Sequence, residues 1–565
     1  LIAVLLAWIL ISLSFLGWGK LLAAGFGPPK SREDFSETGY FFLGMSIAGI
    51  LSGIWWIFAP VSIIFGGSLL GVGLGYVLAS GPIRFEIRFQ NPWFSLAMLL
   101  ILGSLLMKAA APTAFYDCGL YYGQTLRWMQ GYAAVPGLGN LHIRFGNASA
   151  WHMLSAAFDW PALFQGSFDD LGELVLFWFV LFHGWNTLKL EGFERFLSLG
   201  LVLFALYQCH GLLTAPSPDL VVGVLGMQTI WQFRKFLRLW NPRQPNQLNT
   251  RGLALLTQSL FLAEAKLSAI PFLLIAVVVL FLVTREGWYL RIFQLGFLGF
   301  AVLMSMILRS YLLSGYLVFP VLKGPFSPDW LVSEALVQNY LNGVRGFARH
   351  ILSDVELRSG LNYETVGGWP FKTWFPVWAS ERKLADWISM LGGISGWLLL
   401  VDYASRHIRK SFRSHWPLIF FTWLCGMMLL FWFSNAPDVR FGIAILGTGC
   451  SYALASLLVR LPIPRLSNRV SGILLVIPAI AVLWFYRDKR TLENYVLFPS
   501  PYPEVQVQNW GTVDHPVFTP VQLEHRPGLD ADQCWNAPLP CSMEPVPGLE
   551  FRGKSLSQGF RLRTK

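Results

Sequence analysis

The chain has 565 residues, of which 54% are hydrophobic and only 13% charged, with a formal net charge of +11. A soluble globular domain carries roughly 25% charged residues, so much of this surface is not built for water. The basic excess falls in short loops between apolar runs, where it orients a membrane protein and argues against a nucleic-acid partner.

A span needs about 20 mostly apolar residues. Runs near that standard lie at 1–17, 40–58, 61–80, 93–111, 172–187, 197–213, 219–232, 252–265, 268–284, 292–310, 384–401, 416–434, 441–459 and 470–486. The sequence thus predicts an all-α polytopic membrane protein of roughly fourteen spans. The first run is longer than a signal peptide and no small-residue cleavage site follows it, so it reads as a span. The stretch 252–284 is divided in two because Glu264, Lys266 and Pro271 interrupt it.

Basic residues then orient the chain. Lys20, Lys30 and Arg32 fall in one loop and Arg84 and Arg88 in another. Further loops hold Lys189 and Arg195; Arg234, Lys235, Arg238, Arg243 and Arg251; Arg285 and Arg291; Arg406, Arg409, Lys410 and Arg413; and Arg460, Arg465 and Arg469. All share one side, which the positive-inside rule makes cytoplasmic. Three long segments lie opposite: loops 112–171 and 311–383 and the Pro-rich tail 487–565. Segments longer than about 15 residues are usually functional or disordered. Their aromatic clusters predict that they fold against each other. The division expected is a three-span module 1–92, a transmembrane core 93–486 and an extracytoplasmic tail 487–565, in a bacterial inner membrane.

The chain has six cysteines, and none shows paired zinc-like spacing. Cys534 and Cys541 lie close together in the tail, on the oxidising side, and are expected to form a disulfide.

Chemistry-bearing residues collect on the same outer side. Asp117, in Ala-Phe-Tyr-Asp-Cys-Gly-Leu-Tyr-Tyr, follows the fourth span, where a carboxylate serves as a general base or caps the next helix. Downstream, His142, Arg144 and Asn147 occupy a Gly-rich stretch that suits an anion or merely turns the chain. Asn147-Ala-Ser149 also matches a glycosylation acceptor. Asp219 either caps the seventh span or joins Asp117. Lys266 and Glu264, near lipid depth, must pair or face a cavity. Arg309 ends the tenth span on the outside, either snorkelling or meeting an anionic ligand, with Tyr316 beyond it. Asp438 and Arg440 share a tight turn, as an ion pair or as part of a common site. No P-loop, dinucleotide fingerprint, zinc-protease helix or serine elbow is present.

These segments resemble the GT-C superfamily of membrane glycosyltransferases. Asp117 in Phe-Tyr-Asp-Cys-Gly-Leu-Tyr matches the acid of that superfamily's first external loop. Ala-Pro-Ser-Pro-Asp219, Lys266-Leu-Ser, Arg309-Ser-Tyr-Leu-Leu-Ser-Gly-Tyr316, Ala-Pro-Asp438-Val-Arg440-Phe-Gly and the Cys534–Cys541 segment are similar to those of a bacterial family with GT-C-like organisation. The resemblance implies a GT-C-like bundle that transfers a sugar from a polyprenyl-phosphate donor to a glycan, lipid or protein acceptor. It implies Asp117 as base, with His142, Arg144, Asp219, Lys266, Arg309, Tyr316, Asp438 and Arg440 binding substrate. Many GT-C enzymes pair two acids in that loop. Asp117 has no acidic neighbour, which weighs against a divalent metal without removing it as an alternative; the polyprenyl-phosphate sugar is the one cosubstrate implied. Two other readings stand beside it: a non-catalytic GT-C-like subunit of a membrane assembly, and a transporter of lipid-linked glycans. A transporter would place charges inside its spans, whereas these cluster at span ends.

Overall fold

The computed structural model describes all residues except 27–34, 82–86, 88, 114, 161–166, 169, 241–248, 285–288, 409–411, 462–466, 488, 522–532 and 564–565. The orienting residues Lys30, Arg32, Arg84, Arg88, Arg243, Arg285, Arg409, Lys410 and Arg465 lie outside the described residues.

The first helices are α1 (Ile2–Gly25), α2 (Glu37–Trp56), α3 (Ile63–Ala79) and α4 (Pro92–Ala109). After a π-helical turn at Cys118–Tyr122 come the short helices α5 (Gly123–Gly131), α6 (Leu138–Leu141) and α7 (Ala150–Phe158). Long helices resume with α8 (Leu171–Lys189), α9 (Gly192–Gln208), α10 (Pro218–Leu239), α11 (Asn249–Ala265), α12 (Leu273–Thr284) and α13 (Tyr289–Ser314). The second long loop holds the hairpin β1 (Tyr316–Val318) and β2 (Leu322–Lys323), then α14 (Glu334–Arg349), α15 (Asp354–Arg358), α16 (Tyr363–Gly367) and α17 (Phe371–Glu381). The last long helices are α18 (Leu384–Ile408), α19 (Phe412–Asn435), α20 (Val439–Leu458) and α21 (Asn468–Tyr486). The tail contains two antiparallel pairs, β3 (Val507–Asn509) with β4 (Phe518–Pro520) and β5 (Leu549–Phe551) with β6 (Phe560–Leu562).

Every apolar run read from the sequence coincides with or overlaps a helix. Among the described residues, nine helices are long and apolar enough to cross a membrane: α1, α2, α4, α8, α13, α18, α19, α20 and α21. α3 and the segment Leu267–Leu282 are apolar but shorter. The helices pack through small residues, as expected where close backbone approach replaces a hydrophobic drive. Gly44 of α2 lies against the Phe15 carbonyl of α1, where a Cβ would come within 1.7 Å. Gly396 of α18 meets Gly449 of α20 in the same way, at 1.8 Å.

The three long segments do fold on one another. Asn140 donates to the Trp330 carbonyl at 2.8 Å, joining the first long loop to the second. Phe560 N–H of β6 donates to the Pro136 carbonyl at 3.0 Å, joining the tail to the first. Arg552 and Asp329 pair at 2.9 Å between tail and second loop. A disulfide links Cys534 and Cys541.

Candidate functional site

Four helix ends converge at one end of the bundle. α4 leads into Asp117, α10 begins at Pro218–Asp219, α11 ends just before Lys266, and α20 begins just before Arg440. Arg440 Nε donates to Asp219 Oδ2 at 2.6 Å and its Nη2 to Asp117 Oδ2 at 3.0 Å. Lys266 Nζ pairs with the other Asp219 oxygen. Asp219 therefore bridges both cations, with its side chain 1% exposed. Asp117, Arg440 and Lys266 keep 17%, 26% and 27% exposure, so the cluster is closed at Asp219 and partly open at these three side chains.

The helix-cap readings of both acids yield to these contacts. Asp117 stands at the start of the π-helical turn but caps no N–H; its carboxylate faces Arg440. Ser217, not Asp219, is the N-cap of α10. Opposite-charge attraction between half-buried groups outweighs a cap worth about 1 kcal/mol.

Aromatic rings wall the cluster. Lys266 Nζ lies 4.2 Å from the Phe441 ring centroid, and the Arg440 guanidinium lies 5.3 Å from that of Phe115. Tyr122 sits 4.8 Å from the His152 ring and 4.5 Å from Tyr121. Burial raises the Tyr121 and Tyr122 hydroxyls and pushes His152 down to about 3, so these groups stay neutral. Burial also lowers the Lys266 ammonium, an effect opposed by Asp219. His152 Nε2 is buried without a hydrogen-bond partner among the described residues.

The remaining predicted residues divide. Asp438 belongs to the same helix start but not to the ion cluster. Its Oδ1 accepts the Arg440 backbone N–H at 2.8 Å, and Arg382, which the sequence did not single out, pairs with its Oδ2 at 3.3 Å. The expected Asp438–Arg440 ion pair is therefore replaced, since each side chain has a different partner. Burial raises the Asp438 carboxyl. Glu264 and Lys266 do not neutralise each other either. Glu264 takes Arg309 at 2.5 Å, with the two side chains 1% and 0% exposed. Arg309 thus neither snorkels nor reaches a ligand; it is sealed among α2, α11 and α13. Tyr316 is 3% exposed and packs edge-on to Phe319 at 5.8 Å, away from the cluster. His142 and Arg144 flank it: the Arg144 guanidinium lies 5.2 Å from the Tyr121 centroid.

Tyr122, His152 and Tyr340 were missed. The tyrosine pair was visible beside Asp117. His152 is one histidine on an apolar helix, and Tyr340 comes from the distant second loop, where Asn147 donates to its hydroxyl at 2.8 Å. The two acids do not suit a divalent cation, because Arg440 and Lys266 already compensate them. Among the described residues no group of three or more metal-binding side chains assembles.

The fold and the charged helix ends define a multi-helical membrane protein with one polar cluster at an end of its bundle. The chain belongs to the family described as domain of unknown function DUF8201, whose model matches residues 1–447. No curated protein and no solved structure matches it.

Proposed function

We propose that the protein is a GT-C-like glycosyltransferase that moves a sugar from a polyprenyl-phosphate donor to an acceptor hydroxyl at the extracytoplasmic face. The observation that carries this reading is the ion-paired cluster of Asp117, Asp219, Lys266 and Arg440 at the converging helix ends. Asp219 holds the two cations in place and is too enclosed to react. Arg440 and Lys266 present positive charge toward the open side, where a lipid phosphate finds it. Phosphate competes with Asp117 for Arg440, which frees the one exposed carboxylate.

Asp117 then takes the proton of the acceptor hydroxyl. The acceptor oxygen attacks the anomeric carbon as the bond to the phosphate oxygen breaks. The phosphate leaves with the electron pair, and Arg440 and Lys266 meet its developing charge. Attack opposite the leaving group inverts the anomeric centre. In purified protein, Asp117→Asn is expected to lower transfer by about 10²–10⁴-fold, the usual range for a lost general base, while donor binding is retained or strengthened, since the phosphate no longer competes with that carboxylate for Arg440. Full activity in this variant would remove Asp117 from the role.

One observation favours a second reading. Asp117 is already satisfied by Arg440 at 3.0 Å, as it would be in a non-catalytic subunit that keeps the cluster for rigidity. A stoichiometric complex from native membranes, with no affinity for polyprenyl phosphate, decides for that reading.

A further inference from the structure

Arg144 is the cation that the cluster does not use. It lies in the 3-10 turn Ile143–Gly146, with its guanidinium over the Tyr121 ring. Its Nη1 is buried and has no hydrogen-bond partner among the described residues. No carboxylate pairs with it among them either, whereas Arg440, Arg309 and Arg382 each have one. Leaving a buried donor unmet is costly, and more so for a charged group. Arg309 also has unmet donors, at Nε and Nη1, but Glu264 compensates its charge; Arg144 has no carboxylate beside it among the described residues, and its charge is available to an anion from outside the chain.

Its position indicates what that is. Asp117 and Arg144 both act electrostatically on Tyr121 and on Tyr340. Asp117 thus has Arg440 as one neighbour and the Tyr121–Arg144–Tyr340 group as another. The donor phosphate is provided for by Arg440 and Lys266. His142, within electrostatic reach of Arg144, is held neutral by burial, at about 3. The group therefore offers a single positive charge. Tyr121 covers one face of the guanidinium, and the unpartnered Nη1 belongs to its edge, the part that binds oxyanions through paired N–H groups.

We propose that Arg144 is an anion subsite for the acceptor, which is therefore a hydroxyl compound carrying a phosphate or a carboxylate. This rests on the reading of Asp117 as the base: an oxyanion held on Arg144 brings a nearby hydroxyl to that carboxylate.

The test uses the full chain in detergent, saturated with a short-chain polyprenyl phosphate, and follows binding of glycerol 3-phosphate and of glucuronate. At least one is expected to bind, and which one binds tells phosphate from carboxylate. Arg144→Gln should weaken that binding at least tenfold, Arg144→Lys less, and Arg440→Gln less than twofold. Binding of neither, or equal loss in the Arg144 and Arg440 variants, overturns the subsite. Should Arg144→Gln not fold, the wild type still decides: an anion that binds the lipid-free protein and is displaced when polyprenyl phosphate is added shares its site and overturns the proposal. The glycosyltransferase reading fails separately, if polyprenyl phosphate itself does not bind or binds equally to Arg440→Gln.

Discussion

Asp159 shows how burial sets the behaviour of a single residue. It follows α7 in the first long loop, is 5% exposed, and accepts the Phe168 N–H at 3.0 Å. Burial raises its carboxyl from 3.8 to about 6, against the lowering effect of its hydrogen bonds. A folded value above the unfolded one favours folding at low pH. That advantage is lost as pH climbs through about 4 to 6, because the unfolded chain gives up its proton first. Asp159→Asn keeps an acceptor and carries no charge. It should stabilise the protein at pH 7 by about 1–3 kcal/mol, since each pKa unit is worth about 1.4 kcal/mol, and the gain should vanish below pH 4. Thermal unfolding in detergent across that range checks it; a gain that persists at pH 3.5 would exclude the carboxyl's charge as its cause.

At the scale of elements, the buried Arg309–Glu264 pair shows what a charge inside the bundle does. Ser305 also donates to Glu264, at 3.1 Å, and a Cβ on Gly53 of α2 would stand 2.1 Å from Arg309 Nη1. The pair thus ties α11 to α13 and sets how close α2 approaches. Removing one partner of a buried pair costs about 3–5 kcal/mol, while replacing both with apolar groups is often neutral. Arg309→Met is therefore expected to destabilise strongly, and the added change Glu264→Leu to restore most of the loss. Equal unfolding temperatures for the single and double variants would show that the charges are uncoupled. Lys266 follows Glu264 by two residues, so the same pair steadies the turn that carries the lysine paired with Asp219.

The whole molecule adds a constraint that no helix carries alone. The disulfide-closed tail docks on the turn that follows Asp117. Trp535 N–H donates to the Gly119 carbonyl at 3.1 Å, and Gln124 donates to the Trp535 and Ala537 carbonyls at 3.2 and 2.9 Å. A Cβ on Gly119 would meet the Trp535 ring at 2.4 Å. Overpacking of this kind costs about 1–3 kcal/mol. Gly119→Ala is expected to lower stability by that amount and to expose Trp535, seen as a red-shifted emission and faster proteolysis of the tail. Unchanged proteolysis would mean that the tail is held without this contact.

Much of this was legible in residues alone. Runs such as 93–111 and 441–459 became α4 and α20 because length and hydropathy are local properties that need no partner. The cysteine pair closed because its spacer is short. The alternation of helices put Asp117, Asp219, Lys266 and Arg440 at one end, and the chain brings all four together. Their partners were not legible. Asp219 and Arg440 are far apart in sequence, and a carboxylate pairs with whichever cation the packing delivers. That is why Asp438 took Arg382 and not its neighbour Arg440, and why Glu264 took Arg309 and not Lys266. By itself the sequence determined the apolar helices and the pooling of charge at their ends, since both follow from what lipid and water tolerate. Only the tertiary structure decided which charges neutralise one another and which, like Arg144, have no carboxylate partner among the described residues, because ion pairing depends on distances of a few ångströms across separate helices.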